Sequence, residues 1–226
     1  MSRGLSAVAA IVVPLLVLAV LALVWVGRDV AEPEVGVPAG PVGTALAELP
    51  VAPAGTMTGY SRSAFGPAWA DVDDNGCSTR EDVLARDLTG IVVADDGCRV
   101  LSGTLADPYG AGTVDFVRGV DTSAAVQIDH VVALAAAWRT GARDWDAERR
   151  ERFANDPLEL LAVAGAENQA KGDDDAAEWL PVEGACAYAA RQVAVKSEWG
   201  LWVTPDERDA LAAVLTGCPG QELPRR

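Results

Sequence analysis

The sequence predicts an α+β domain with few, short strands. Its β-branched segments are short and scattered, helical segments stand between them, and no internal repeat is present. The chain has 226 residues, and its first part is a long apolar segment. About 200 residues are left for folding, which is the length of one domain with a linker.

The N-terminus has the length of a membrane-spanning segment. From Leu5 to Val26 the chain carries 22 uncharged residues, preceded by Arg3. This length crosses a bilayer, and no small-x-small cleavage pattern follows it. We therefore predict a signal anchor over residues 1–27, with a cleaved signal peptide as the alternative. In both cases the rest of the chain is exported, either anchored to the outer face of the cytoplasmic membrane or secreted.

The residues after this segment divide into a linker, a domain and a tail. Residues 28–56 are rich in Pro, Ala, Gly and Val without a period, which predicts an extended linker. The folded domain is expected over residues 57–218, and residues 219–226 form a tail. In chain order we expect a helix at 79–88, strands at 98–104, 114–117 and 126–128, helices at 134–143 and 147–153, a strand at 158–163, and helices at 167–179, 184–199 and 204–217.

Two of these helices have explicit start signals. Ser78 and Glu81 have the spacing of a capping box, in which the two side chains bond each other's backbone N–H groups. In the last helix, Thr204 stands at the N-cap position, Pro205 at the first helical position and Glu207 at the third. These signals predict where both helices begin.

The four cysteines agree with export. Cys77, Cys98, Cys186 and Cys218 are even in number and show no C-x-x-C spacing, which is typical of disulfides in an oxidising compartment. Three pairings are open from the sequence alone. The shortest loops favour Cys77–Cys98 and Cys186–Cys218, and four free buried thiols are the alternative.

The charge of the chain excludes one class of nucleic-acid binder. Asp and Glu number 33 against 18 Lys and Arg, so the formal net charge is −15. A general polycationic binder of nucleic acid has the opposite sign. Any phosphate that this protein binds must therefore meet a local basic patch or a bound cation.

A group of scarce residues lies between positions 129 and 171. His130 is the only histidine of the chain, which excludes three-histidine zinc sites and two-histidine acid–base pairs. Its side chain is the one whose ordinary pKa suits a proton acceptor near pH 7. Asp129 and Asn168 offer oxygen ligands that suit Mg²⁺, with Mn²⁺ as a second candidate.

The order of these residues resembles the ββα-metal, or His-Me finger, fold of the HNH endonucleases. The nearer resemblance is to the exported bacterial HNH family that is related to the C-terminal domain of GmrSD-type restriction enzymes. It extends over about residues 58–218 and rests on motifs such as Tyr60-Ser61-Arg62, Ile128-Asp129-His130, Phe153-Ala154-Asn155 and Asn168-Gln169-Ala170-Lys171. One departure is that Asn168 stands where the name-giving pattern has a histidine.

The resemblance implies a fold, a reaction and residue roles. The fold is a ββα-metal core with additional helices, and the reaction is metal-dependent hydrolysis of phosphodiester bonds. His130 corresponds to the general base, Asp129 and Asn168 to the metal ligands, Asn155 to the residue that holds the loop of His130, and Lys171 to a phosphate contact. The expected substrate is nucleic acid, DNA in the first place, cut by a monomer with little sequence preference.

An acidic loop provides a candidate for a second metal site. Asp71, Asp73, Asn75 and Asp82 match the calcium-loop pattern D-x-D-x-N-G-x5-E, except that the last position is Asp. An Asn-Gly turn with an acidic surface is the alternative. This loop also supports a non-enzymatic hypothesis, a calcium-stabilised cell-surface binding module in which His130 performs no chemistry.

Several basic residues could contact phosphate. If their segment flanks the cleft, they offer the positive charge that an acidic protein otherwise lacks. An ordinary helix face neutralised by interleaved acids is an equally weighted alternative. The five residues are Arg139, Arg143, Arg149, Arg150 and Arg152.

Other interpretations of His130 are a buried structural histidine and a Ser-His-Asp hydrolase. The second is weak because the chain has no Gly-x-Ser-x-Gly elbow.

Overall fold

The computed structural model describes residues 36 and 38–225 of the chain. The signal anchor predicted over residues 1–27 lies outside these residues. No helix in the described part is long and apolar enough to cross a membrane.

Seven α-helices and five strands make up the described part, with short 3₁₀ turns between them. The helices are α1 (Pro41–Glu48), α2 (Thr79–Asp87), α3 (Leu134–Arg139), α4 (Ala147–Ala154), α5 (Gly165–Lys171), α6 (Ala185–Trp199) and α7 (Pro205–Thr216). The strands are β1 (Leu88–Val93), β2 (Val100–Ala106), β3 (Thr113–Val117), β4 (Val126–His130) and β5 (Leu160–Ala164). This composition confirms the α+β class.

The strands form two separate antiparallel sheets. β1, β2 and β3 make a meander in that order, and β4 pairs with β5 so that Ile128 lies opposite Ala162. The helix α5 follows β5 without a loop and packs against both β4 and β5. Two antiparallel strands and a helix therefore stand together at the centre of the chain.

The β4–β5 sheet is covered on both faces. Val126, Ile128 and Ala162 point into a core shared with α2 and the meander. Val163, on the other face, packs with Tyr109 in a core formed by α1, α6 and α7. Because both faces are buried, β5 is apolar without alternation, as strands buried on two sides are. A third core, around α3 and α4, lies beyond the end of β4.

The domain begins earlier than the composition predicts. Part of the expected 28–56 linker forms α1, whose Val42 and Leu46 are buried against the C-terminal helices. Val51 then forms an isolated parallel bridge with Val203. The spacing of Val42 and Leu46 is helical, but it is too short a pattern to stand out within a segment rich in Pro and Gly.

Three local elements also differ from expectation. β1 was not predicted, because its side chains after Leu88 are exposed and show no alternation. Helix α5 ends at Lys171, since Gly172 adopts a φ of 59°, and residues 172–184 are irregular where a longer helix was expected. The capping box of Ser78 and Glu81 does not form: Ser78 makes no side-chain cap, and the Glu81 carboxylate binds Arg118. The capping box of Thr204 and Glu207 does form.

Both expected disulfides are present. Cys77 is bonded to Cys98 with 5.3 Å between their Cα atoms, and Cys186 to Cys218 with 5.8 Å. The first ties the loop before α2 to the start of β2, and the second ties α6 to the end of α7. No cysteine is free, which fits folding in an oxidising compartment.

Candidate active site

His130 ends β4 with its ring held in a defined orientation. The imidazole Nε2 lies 3.0 Å from the carbonyl oxygen of Ala154. A carbonyl only accepts hydrogen bonds, so Nε2 carries the proton and donates it, which leaves the lone pair on Nδ1. The ring also stacks on Trp69 with 5.9 Å between the ring centroids and an angle of 19°. The contacts therefore assign Nδ1 as the atom that can accept a proton.

The surroundings of His130 favour the neutral imidazole. Burial, and next the positive charge of Arg62, lower the pKa of His130 to about 3. The hydrogen bond to Ala154 acts in the opposite direction, and Lys171 adds a smaller lowering. At neutral pH the ring is thus ready to accept a proton, although it is a weaker base than an exposed histidine.

Asp129 projects from the opposite face of β4, toward α5. Its Oδ1 accepts a hydrogen bond from Lys171 Nζ at 2.9 Å, and its Oδ2 accepts one from the Tyr109 hydroxyl at 2.6 Å. Burial raises the pKa of the Asp129 carboxyl, while Lys171 and Tyr109 act to lower it. Tyr109 was not recognised as a site residue from the sequence.

Lys171 has no access to solvent in this structure. Its ammonium group donates to Asp129 and, at 2.8 Å, to the backbone carbonyl of His130, and its side chain is 0% exposed. A phosphate contact, the role implied by the resemblance, is therefore not available to Lys171 here. Its geometry is that of a positioning residue that joins α5 to the end of β4.

Asn168 lies one helical turn before Lys171 and is partly exposed. Its Nδ2 donates to the Gln127 side-chain oxygen at 2.8 Å, which links α5 to β4 a second time. Asn168, Asp129 and His130 line one cavity of about 400 Å³. The structure thus brings both predicted metal ligands and the predicted base to the same cavity.

The side-chain oxygens of Asp129 and Asn168 are the ligand type that a hard cation prefers. The hydrogen bonds that Asp129 makes in this structure, however, leave no room for a cation. Both carboxylate oxygens of Asp129 already accept hydrogen bonds, one of them from an ammonium group. A cation would have to replace Lys171 or approach it closely. Within residues 36 and 38–225 no group of three or more His, Cys, Asp or Glu side chains could hold a metal ion.

The loop after His130 is held by Glu159. The Glu159 side chain accepts a hydrogen bond from the Val132 backbone N–H at 3.2 Å, and its carbonyl accepts one from Val131 at 2.9 Å. Burial raises the pKa of the Glu159 carboxyl well above its ordinary value. A glutamate inside an otherwise apolar strand segment was the sequence signal that could have identified it.

Asn155 acts on His130 through the backbone. Its Nδ2 donates to the Glu151 carbonyl at 2.9 Å, so it closes the end of α4, where Ala154 presents its carbonyl to His130. The Asn155 Oδ1 is buried and has no hydrogen-bond partner among the described residues. The side chain that bonds directly to the loop after His130 is that of Glu159.

Arg62 stands beside His130 with a free guanidinium group. It is exposed and makes no hydrogen bond or ion pair with any residue that the structure describes. Arg62 and His130 line the polar cavity and also a second, apolar cavity of about 290 Å³. Sequence reasoning placed Arg62 in a motif but gave it no role, since only the fold brings it to His130.

The arginines predicted to contact phosphate are largely engaged within the protein. Arg149 donates to the Trp199 carbonyl at 2.6 Å, and Arg150 donates to the Ala64 carbonyl at 2.8 Å. These two bonds fasten α4 to its neighbours. The other three pair with acidic side chains, as Arg139–Asp173, Arg143–Asp144 and Arg152–Glu148.

The acidic loop closes around an amide group. Asn75 Nδ2 donates to Asp73 at 3.2 Å and to Asp82 at 3.1 Å, and the Asn75 backbone N–H donates to Asp71 at 3.1 Å. A hydrogen-bond donor thus stands among the three carboxylates. The calcium site predicted for this loop has no support in this geometry.

Comparisons with known proteins give independent evidence on the family of this chain. A family model described as "GmrSD restriction endonucleases, C-terminal domain" matches residues 78–214. A protein of Arthroderma benhamiae, described as an uncharacterized secreted protein, is 40% identical over 177 residues, which cover 76% of this chain and 82% of that protein. No solved structure matches. The family match contains His130, Asn168 and Lys171 but begins after Arg62 and Trp69.

Proposed function

This chain belongs to the family of GmrSD restriction endonuclease C-terminal domains, and on that basis we propose that it is an exported endonuclease that hydrolyses phosphodiester bonds. One observation carries the proposal. A neutral imidazole lies in the wall of a cavity, beside an arginine that pairs with no residue in the described part of the chain. A proton acceptor next to a cation is what hydrolysis of a phosphodiester needs.

The reaction follows from the orientation of His130. Nδ1 accepts a proton from a water molecule while the water oxygen forms a bond to phosphorus. The bond from phosphorus to the leaving oxygen breaks on the opposite side, and that oxygen takes a proton from solvent. Ala154 keeps the ring in place through Nε2, and Arg62 binds the non-bridging oxygens. An anionic phosphate beside the ring also raises the pKa of His130 again, because it offsets the charge of Arg62.

A divalent cation is the cofactor that the resemblance implies, and Mg²⁺ at Asp129 and Asn168 stays a prediction. When bound there, it would stabilise negative charge on the phosphate. Binding requires Asp129 to exchange a hydrogen bond, so no step above depends on it. Activity that is lost with EDTA and restored by Mg²⁺ or Mn²⁺ would establish the cofactor, and unchanged activity in EDTA would exclude it.

The substrate and location follow from weaker observations. DNA is the proposed substrate, and little sequence preference is expected because no base-reading motif is present in the sequence. Two disulfides and the secreted relative support export. Anchoring through residues 1–27 and a monomeric state are further proposals.

The central test is His130→Ala in the purified full-length protein. We expect plasmid cleavage to fall about 10²–10⁴-fold, the usual effect of a positioned proton acceptor. Val120→Ala, at a fully exposed position, is the matched control for handling and for contaminating host nuclease. Cleavage at the wild-type rate by His130→Ala would refute the catalytic assignment and favour the non-catalytic binding module.

A further inference from the structure

The apolar cavity beside His130 has no part in the hydrolysis described above. It is about 290 Å³ in volume, and its walls include Phe65, Trp69 and Leu134. Arg62 and His130 form the boundary between it and the polar cavity that contains Asn168. A phosphodiester bound at this boundary would have the apolar cavity on one side and the polar cavity on the other.

Trp69 keeps an unfavourable backbone conformation in the wall of this cavity. Its φ of 61° lies in the left-handed region, which a bulky side chain rarely adopts and which glycine adopts freely. The indole ring is only partly buried and stacks on the ring of His130. The backbone conformation alone would favour glycine at this position. The presence of tryptophan therefore indicates that its side chain has a role in the wall of the cavity.

The charge at this cavity lies at its opening. Arg62 is exposed there and makes no hydrogen bond or ion pair with any residue that the structure describes. Asn155 also lines the cavity, but its Oδ1 is buried within the protein and does not face the open space. The cavity therefore presents aromatic and aliphatic walls, and a cation stands at its opening.

We infer that this cavity binds the nucleobase of a nucleotide adjoining the cleaved phosphate, an inference that rests on the proposed nuclease function. A base is a flat aromatic ring that can pack against Trp69 and the other apolar walls of the cavity, and Arg62 binds the attached phosphate. A base in the cavity has left its stack and its pairing partner. The preferred substrate is therefore nucleic acid whose bases leave the stack at low cost, as in single strands, loops or ends, with paired DNA cleaved more slowly.

The test uses short single-stranded DNA with one cleavable phosphodiester. In two further substrates the base on the 5′ or the 3′ side of that phosphodiester is removed, leaving an abasic sugar, and a distant abasic site is the control. We expect one flanking abasic substrate to lose about 5- to 100-fold in kcat/KM with the wild-type protein, the range of base–aromatic stacking. Equal kcat/KM for all substrates would overturn the inference.

Trp69 variants separate base binding from support of His130. On the intact substrate, Trp69→Ala should lower kcat/KM by a similar factor. On the abasic substrate that the wild-type protein cleaves poorly, Trp69→Ala should cause no further loss of kcat/KM. Trp69→Phe should retain most of the activity on the intact substrate. Equal losses by Trp69→Ala on both substrates would mean that Trp69 only positions His130, and would refute the inference.

Failure of the proposed nuclease function can be distinguished from failure of the base-binding site. If the wild-type protein cleaves but base removal has no effect, the nuclease stands and the base site falls. If no DNA is cleaved, the binding of the same labelled DNA to the wild-type protein, measured by fluorescence anisotropy, decides. Tighter binding of intact than of flanking-abasic DNA would support the site, and equal binding would refute it.

Discussion

At the scale of single residues, His130 shows what a sequence can and cannot reveal. As the only histidine it is identifiable from the sequence as a candidate proton acceptor. Its tautomer and its lowered pKa depend on Ala154, on Arg62 and on burial, all of which arise from the fold. The same holds for Glu159, because its two backbone contacts exist only when β5 pairs with β4.

The pH dependence of cleavage tests the environment of His130. An unperturbed imidazole would make kcat/KM, which reports the free enzyme, rise through a pKa near 6.5. With the pKa lowered to about 3, the imidazole stays neutral and kcat/KM should show no inflection from His130 between pH 5 and 8. Initial rates at constant ionic strength measure this, and a tenfold fall per pH unit below 6.5 would contradict it.

Glu159 should support both stability and rate. Glu159→Ala leaves the buried Val132 N–H without its acceptor, which we expect to cost about 1–3 kcal/mol in the free energy of unfolding. Burial raises the pKa of the Glu159 carboxyl and so favours its neutral form. An amide keeps the shape of that form and an acceptor oxygen, so Glu159→Gln should resemble wild type. Urea unfolding and kcat measure both effects. A Gln variant as unstable as the Ala variant would show that the charge of Glu159 is needed.

At the scale of elements, the sequence predicts best those helices and strands that have strong local signals. α7 was predicted with its start because Thr204, Pro205 and Glu207 act within one turn. Elements that depend on distant contacts or on a single backbone conformation are not predicted, or are predicted with the wrong length. α1 is stabilised by the C-terminal helices, β1 has an exposed pattern, and α5 is ended by the conformation of Gly172. For the site, the sequence located the residues on β4 and α5, but not their bonding.

The ion pair between β4 and α5 can be tested against a second buried pair. Lys171→Met leaves Asp129 buried without its cation, which we expect to cost about 3–5 kcal/mol. Lys196→Met breaks the pair with Glu207, which joins α6 to α7, and should cost a similar amount. Urea unfolding measures both.

Activity distinguishes the two variants. Corrected for the folded fraction, kcat should fall in Lys171→Met, since Lys171 also binds the backbone of His130, and should be unchanged in Lys196→Met. Equal kcat in both variants would contradict a positioning role for Lys171.

At the scale of the whole molecule, the net charge of −15 opposes the approach of nucleic acid. Ordinary basic DNA-binding proteins lose affinity steeply as salt rises. Here added salt screens a long-range repulsion, so kcat/KM should rise or stay level between about 20 and 100 mM NaCl, where the Debye length shortens toward 10 Å. Initial rates on one DNA substrate measure this. A steep decline over the same range would show that a local basic surface dominates.

The burial of the β4–β5 sheet on both faces affects how the site behaves over time. Local opening of a protein starts where few contacts must be broken, at edges, loops and termini. Because β4 and β5 are packed between two cores, exposing their backbone requires both cores to separate. The peptide bonds around Asp129 and His130 are thus among the last that a protease could reach. For the exported nuclease that we propose, this arrangement extends the working lifetime of the site.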